Sequence, residues 1–166
     1  MKKYRLLPLF LAGLTALTLC SCSGESTPVA ETADMEDLQK ILLEADSSLP
    51  EMLSITGQVK DAEALFPYLS DLSYDKVTDF LLSYSSSGTS DEIAVIAVTD
   101  PADVEEAADT LRAHRDQRLA LFKQYSPSEA ERVEKALVFT WGQYAVLLIC
   151  DGNADVQTAF EDFLSP

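Results

Sequence analysis

The sequence predicts an α+β fold, a two-layer sandwich. An antiparallel four-stranded sheet built from two hairpins carries a long central helix, with further helices from the two ends of the chain. Three observations predict it. A serine-rich loop, residues 85–90 (SSSGTS), separates two strand-like runs at 78–84 and 93–99. The pair Gly142-Gln143 separates two more, at 136–141 and 144–150. Between the two pairs lies one long amphipathic stretch, residues 101–125. Hairpins impose antiparallel pairing, and amphipathic helices need a common apolar surface.

The long stretch is bounded clearly. Asp100 suits the N-cap, Pro101 suits the first helical position, and Asp103 places negative charge in the first turn. At 100° per residue, Ala108, Leu111 and Phe122 fall within about 40° of Val104 and form one apolar stripe. Ala107 and Tyr125 flank it. The sequence Ser126-Pro127-Ser128-Glu129 reads as a fresh cap with a capping-box glutamate, opening a short helix to Lys135.

Arg115 and Arg118 interrupt the stripe, projecting at about +20° and −40° from Val104. An unpaired buried charge is very costly, so each guanidinium must find water or a carboxylate. Snorkelling past the edge of a short sheet is the expected outcome. The alternatives are an ion pair with an acid at a strand end, Glu92 or Asp91, and an anion-binding site. These four residues are the candidate binding set.

The remaining elements follow from periodicity. Met35, Leu38, Ile41, Leu42 and Ala45 give residues 34–45 one apolar face, with Thr32 or Asp34 as cap. Residues 47–74 carry weaker signals: a turn at Leu49-Pro50, a short strand at 52–55, and a helical turn at 61–66 ended near Pro67. Residues 93–99 (IAVIAVT) are apolar on both faces and predict a central strand. A two-residue loop with glycine first is the signature of a type II′ hairpin at Gly142-Gln143. Val156, Ala159, Phe160, Phe163 and Leu164 form the apolar face of a last helix. With all helices on one side, the second face of the central strands needs a cover. The expected cover is segment 49–72, the alternative a partner or ligand.

The amino terminus reads as an address. Lys2, Lys3 and Arg5 precede a 14-residue, mostly apolar segment, residues 6–19, too short to span a bilayer and right for a secretory signal. It ends in Leu19-Cys20-Ser21-Cys22, which resembles a bacterial lipobox. That resemblance implies lipidation of Cys22, which becomes the mature amino terminus, and two acyl chains give stable attachment. The expected organisation is a signal peptide at 1–21, a lipidated cysteine and flexible tether at 22–33, and one α+β domain at 34–166. The tether would reach on the order of 20 Å.

The chain has 12 Lys+Arg and 28 Asp+Glu, a net charge of −16. Removal of Lys2, Lys3 and Arg5 leaves 9 basic residues against 28 acidic, or −19. Such a field disfavours nucleic acid and anionic headgroups as partners. Of the three cysteines only Cys150 remains for the domain, so no internal disulfide is expected and the hydrophobic core must suffice.

The chemistry-bearing residues are few. His114, the only histidine, projects at about −80° from Val104 and is expected to be a solvated helix residue without catalytic or metal partners. Cys150 ends an apolar strand and reads as a small buried hydrophobe. Asp151, Asn153, Asp155 and Asp162 share a calcium-loop spacing, but Val156 stands where that loop needs glycine, and the same residues serve the start of the last helix. No catalytic set, metal site or cofactor is expected.

Beyond these motifs, residues 81–164 resemble an uncharacterised family of small lipoproteins of Gram-positive bacteria, a domain of unknown function. The resemblance rests on the serine-rich turn with DEIAVIAV, on Arg115, Gln117 and Tyr125 in the long helix, and on SPSEAERVEKALV. The W-G-Q-Y hairpin and the last amphipathic helix complete it. It implies location and domain identity and supplies no activity. The expected function is a binding or assembly module of the cell envelope, lipid-anchored at the extracytoplasmic face of the cell membrane with an envelope protein as partner. A second reading is a small-ligand receptor or enzyme with a pocket lined by Arg115, Arg118 and a nearby acid.

Overall fold

The computed structural model describes residues 32–165. The expected signal peptide, Cys22 and most of the tether lie outside them. Thr32 and Ala33 are already held by the domain: the Gln143 side-chain amide donates to Thr32 Oγ1 at 3.1 Å, and the Ala33 N–H donates to the Tyr144 hydroxyl at 2.8 Å.

The elements run α1 (Met35–Ala45), β1 (Met52–Thr56), α2 (Ala62–Leu65), β2 (Val77–Ser85), β3 (Glu92–Val98), α3 (Val104–Tyr125), α4 (Pro127–Glu134), β4 (Leu137–Trp141), β5 (Tyr144–Ile149) and α5 (Asn153–Leu164). Single 3₁₀ turns at Phe66–Tyr68, Tyr74–Lys76 and Pro101–Asp103 precede or follow them. Asp34 is the α1 cap, accepting the N–H groups of Glu36 and Asp37. Asp100 caps the 3₁₀ turn that leads into α3, accepting from Ala102. At Gly142 the backbone has φ +57°, no non-glycine residue has positive φ, and Trp141 pairs with Tyr144. That is the expected type II′ hairpin, where glycine is needed for the left-handed position.

The sheet is open, antiparallel and five-stranded, in the order β1-β2-β3-β5-β4. The fold is therefore α+β with a long central helix, as the sequence predicts, but the four-stranded and two-layer details are corrected. The strand expected at 52–55 joins the sheet through a full register with β2, Met52 opposite Ser85 to Thr56 opposite Leu81. The helices divide between the two faces. Alternation sends Ile93, Val95, Ala97, Val146 and Leu148 towards α1 and α5, where they meet Leu38, Leu42, Val156 and Phe160. It sends Ala94, Ile96, Val98, Ala145 and Leu147 the other way, against Ala107, Ala108 and Leu111 of α3 and Val133 of α4. Small residues on both sides of that contact let α3 lie close to the sheet.

Every residue of β3 and β5 is buried. The chain itself thus covers both faces of the central strands, and no uncovered face is left there for a partner. The segment after β1 contributes: Phe66, Leu69 and Leu72 pack beside Phe80, with Phe66 edge-on to its ring at 5.2 Å between centroids.

Candidate functional site

α3 does not extend over β1 and the neighbouring half of β2. A cleft of about 410 Å³ opens there between the sheet, α2 with its following 3₁₀ turn, and the middle of α3. Ile55, Leu65, Tyr68, Leu82 and Tyr84 supply an apolar wall, and Glu92, His114 and Arg118 supply a charged one.

The charged wall is built by β3 and α3. Glu92 begins β3 on the α3 face, with its side chain only 3% exposed. His114 and Arg118 lie one helical turn apart on α3 and close on the carboxylate from above. His114 Nε2 is 2.7 Å from Glu92 Oε1. Arg118 Nε lies 3.1 Å from Glu92 Oε2. That N–H is not aimed at the carboxylate and has no hydrogen-bond partner, so this second contact is a close ion pair without a hydrogen bond. The guanidinium also reaches the Ser90 carbonyl at 3.4 Å through Nη2 and stacks over Phe122, 5.1 Å from the ring centroid.

Of the two arginines in the helical stripe, then, only Arg118 makes the ion pair with Glu92. Arg115 turns outward and binds Asp116 Oδ1 through Nε at 2.9 Å and Nη2 at 2.7 Å. It takes no part in the cleft. Snorkelling describes Arg115 and not Arg118. His114 corrects the expectation of a solvated residue, since its side chain is 13% exposed and faces a buried acid. The signal that could have found it is its spacing, four residues before Arg118 on the same helix.

Asp91 belongs to a different cluster. Arg132 of α4 binds Glu129 Oε2 at 2.5 Å, Asp151 Oδ1 at 3.2 Å and lies 3.5 Å from Asp91 Oδ2. Glu129 accepts both the N–H and the hydroxyl of Ser90, at 2.7 and 2.9 Å. Burial by itself would raise the Glu129 carboxyl, but the Ser90 bonds and the Arg132 charge outweigh it and hold the carboxyl below its ordinary range. The expected capping box is thus not formed: Ser126 makes no side-chain cap, and its glutamate partner is drawn away to the loop before β3. With all its acids paired to one arginine, this cluster is a clamp on the loop.

Two of the four calcium-spaced residues are likewise engaged. Asp151 pairs with Arg132, and Asn153 Oδ1 accepts the Cys150 N–H at 3.1 Å. Among the described residues no group of three or more His, Cys, Asp or Glu is placed to hold a metal ion. A wider polar groove of about 540 Å³ lies by Thr32, Asp34 and Asp79. Its carboxylates are occupied, Asp34 as the α1 cap and Asp79 by the N–H groups of Gly57 and Phe80.

Fold and cleft together define an α/β/α domain on an open antiparallel sheet, with a buried carboxylate held between an imidazole and a guanidinium. Residues 51–150 match the family described as a domain of unknown function (DUF4358), and the chain belongs to it. All eight residues lining the cleft fall within that stretch, while α1 and α5 fall outside it. No curated protein and no solved structure matches the chain. Among the described residues no helix is long and apolar enough to cross a membrane.

Proposed function

We propose that the protein is a non-enzymatic binding module of the cell envelope, held at the extracytoplasmic face of the cell membrane by lipid on Cys22, with the α3-side cleft as its ligand seat. The observation that carries this reading is the cleft itself: an apolar wall facing a neutralised, pre-formed charged wall. A seat of that kind takes an apolar group and orients it by a few polar contacts. With Glu92 committed to both His114 and Arg118, the charged wall is already assembled to orient a bound group.

The test is site-specific photocrosslinking in intact cells, with p-benzoylphenylalanine replacing Tyr68 at the cleft mouth or Thr158 on the outer face of α5. A discrete adduct from position 68 and none from position 158 is expected, together with a shift of the Cys22→Ala protein from the membrane fraction to the medium. Equal or absent adducts at both positions would reject the cleft as the seat. Retention of the Cys22→Ala protein in the membrane would reject the anchor. The second reading, a small-ligand receptor or enzyme, has one observation behind it, the 2.7 Å contact of an imidazole with a buried carboxylate. Arg115 is not available to that pocket.

A further inference from the structure

β1 is an edge strand, and its register decides which of its groups are free. Gly57 N–H donates to the Phe80 carbonyl and Ser86 N–H to the Glu51 carbonyl, both at 2.9 Å. In an antiparallel ladder bonding alternates along the strand, so the odd-numbered residues of β1 face β2. The N–H groups of Met52, Ser54 and Thr56 and the carbonyls of Met52 and Ser54 therefore point to the open edge. Thr56 spends its carbonyl on Val59.

Edges of this kind are usually blunted by charge, proline or a covering element. Met52–Thr56 (MLSIT) contains neither charge nor proline. Instead it is flanked by a groove on each face. On one side lies the cleft, with Tyr68 73% exposed at its mouth, and Leu53, 49% exposed, shares the strand face of the cleft-lining Ile55. On the other lies a polar groove of about 290 Å³, where Ser54 and Thr56 of the strand meet Glu36 and Lys40 of α1. A strand added at this edge would send alternate side chains into the two grooves, because that is how the pleat directs them.

We infer that β1 is the docking edge for an extended segment of a partner protein, apolar on the residues that enter the cleft and cationic on the alternate ones. The inference rests on the cleft being the ligand seat and names what fills it. Charge complementarity selects the cationic parity. In the polar groove Lys40 is tied to Asp37 at 2.9 Å, whereas Glu36 makes no ion pair among the described residues. The whole chain carries −16, a field that favours a cationic ligand. Five paired positions span about 17 Å, so a segment of about six residues covers the edge.

The experiment uses the full-length chain in detergent and a synthetic probe, acetyl-Lys-Val-Lys-Val-Lys-Val-amide, with residue-resolved amide exchange as the readout. Binding should slow exchange at Met52, Ser54 and Thr56 and leave Leu53 and Ile55, already bonded to β2, unchanged. A probe N-methylated at its central lysine should bind about tenfold more weakly, because in an antiparallel addition the probe residues that bond Met52, Ser54 and Thr56 are those sharing their face of the sheet, the lysines. A probe with glutamate for lysine should give no protection. Several results overturn the inference. Unchanged exchange at the three amides despite a Tyr68 adduct in cells would leave the cleft as seat but reject the strand, whereas absence of both would reject the two together. Protection already present in the free chain and released by deleting residues 23–31 would assign the edge to the protein's own tether. Protection that rises with protein concentration and needs no probe would assign it to a second copy.

Discussion

Asp46 Oδ2 accepts the backbone N–H of Gly152 at 2.8 Å, tying the end of α1 to the start of α5 across 106 residues of sequence. The approach is so close that a Cβ on Gly152 would lie 2.6 Å from Asp46 Cγ and 2.7 Å from Oδ2. The backbone at Gly152 has φ −91°, which alanine tolerates, so any cost of Gly152→Ala comes from this contact. We expect Gly152→Ala to lower stability by about 2–3 kcal/mol and Asp46→Ala by about 1–3 kcal/mol. The double variant should cost less than the sum, by at least about 1 kcal/mol, because removing the carboxylate makes room for the methyl. Urea denaturation of the four proteins measures the coupling, and strict additivity would show that the two residues do not touch.

The same carboxylate makes the fold acid-sensitive. Burial pushes Asp46 up, but the bonds from Ser48 and Gly152 outweigh it and leave its pKa below the ordinary value of 3.8. Glu129 is lowered in the same way from 4.5. A carboxyl lowered in the folded state contributes stability above its unfolded pKa and loses it as pH falls through the folded one. Both contributions are therefore full near neutrality and disappear below about pH 4. Asp79 has the opposite sign: burial raises it, despite the N–H groups of Phe80 and Gly57. Its ionised form is a cost above the folded pKa, and the cost vanishes on protonation. Asp79→Asn should thus raise the urea midpoint at about pH 7 and leave it unchanged at about pH 3, while Asp46→Asn should flatten the acid slope.

How much of this was legible depended on whether a feature is local. The Asp34 cap, the Gly142 hairpin and both ends of α3 are set by neighbours in sequence, and each could be read there. β1 was visible as a strand, but its pairing with β2 is a matter of register between distant residues, and its half-buried pattern carries no clear alternation. The double-sided burial of the sheet was written in residues 93–99, apolar at both parities. What the pattern omits is which helix takes which face. His114 shows the limit most clearly. A helical wheel measures angle, and the wheel places this residue off the stripe. It cannot show that segment 66–70, coming from elsewhere in the chain, lies alongside that flank, or that Glu92 waits beneath it. Glu129 is the converse case, a correct local motif overridden by a distant partner, Ser90.

Cys150 gives a probe of how α5 is held. Its thiol is 3% exposed and contacts Asn153 Oδ1 at 3.1 Å, and burial, with Asp46 nearby, pushes its pKa up to about 12. The thiolate is the reactive form, so at about pH 8 the folded protein should be alkylated at Cys150 roughly a thousandfold more slowly than the unfolded chain. Peptide mapping after a timed iodoacetamide pulse reads this residue apart from the other cysteines. Labelling at the unfolded rate would mean that the β5–α5 junction opens freely in the native state.

The two arginines of α3 provide the sharpest contrast within one helix. Arg115 sits on the solvent side with Asp116, and exposed pairs of this kind are worth at most about 1 kcal/mol, so Arg115→Ala should cost less than about 0.5 kcal/mol. Arg118 neutralises a carboxylate that is almost wholly buried and stacks on Phe122. Removing it leaves Glu92 with His114 alone, and Arg118→Ala should cost about 2–4 kcal/mol. The loss belongs to the stranded charge more than to the missing contact. Glu92→Gln combined with Arg118→Met removes both charges and keeps a hydrogen-bonding group beside His114, so this double variant should be more stable than Arg118→Ala by at least about 1 kcal/mol. Thermal and urea unfolding of the three variants decide the point. Equal costs for Arg115→Ala and Arg118→Ala would mean that the guanidinium at 118 does not balance Glu92, and the cleft would then have no pre-formed charged wall.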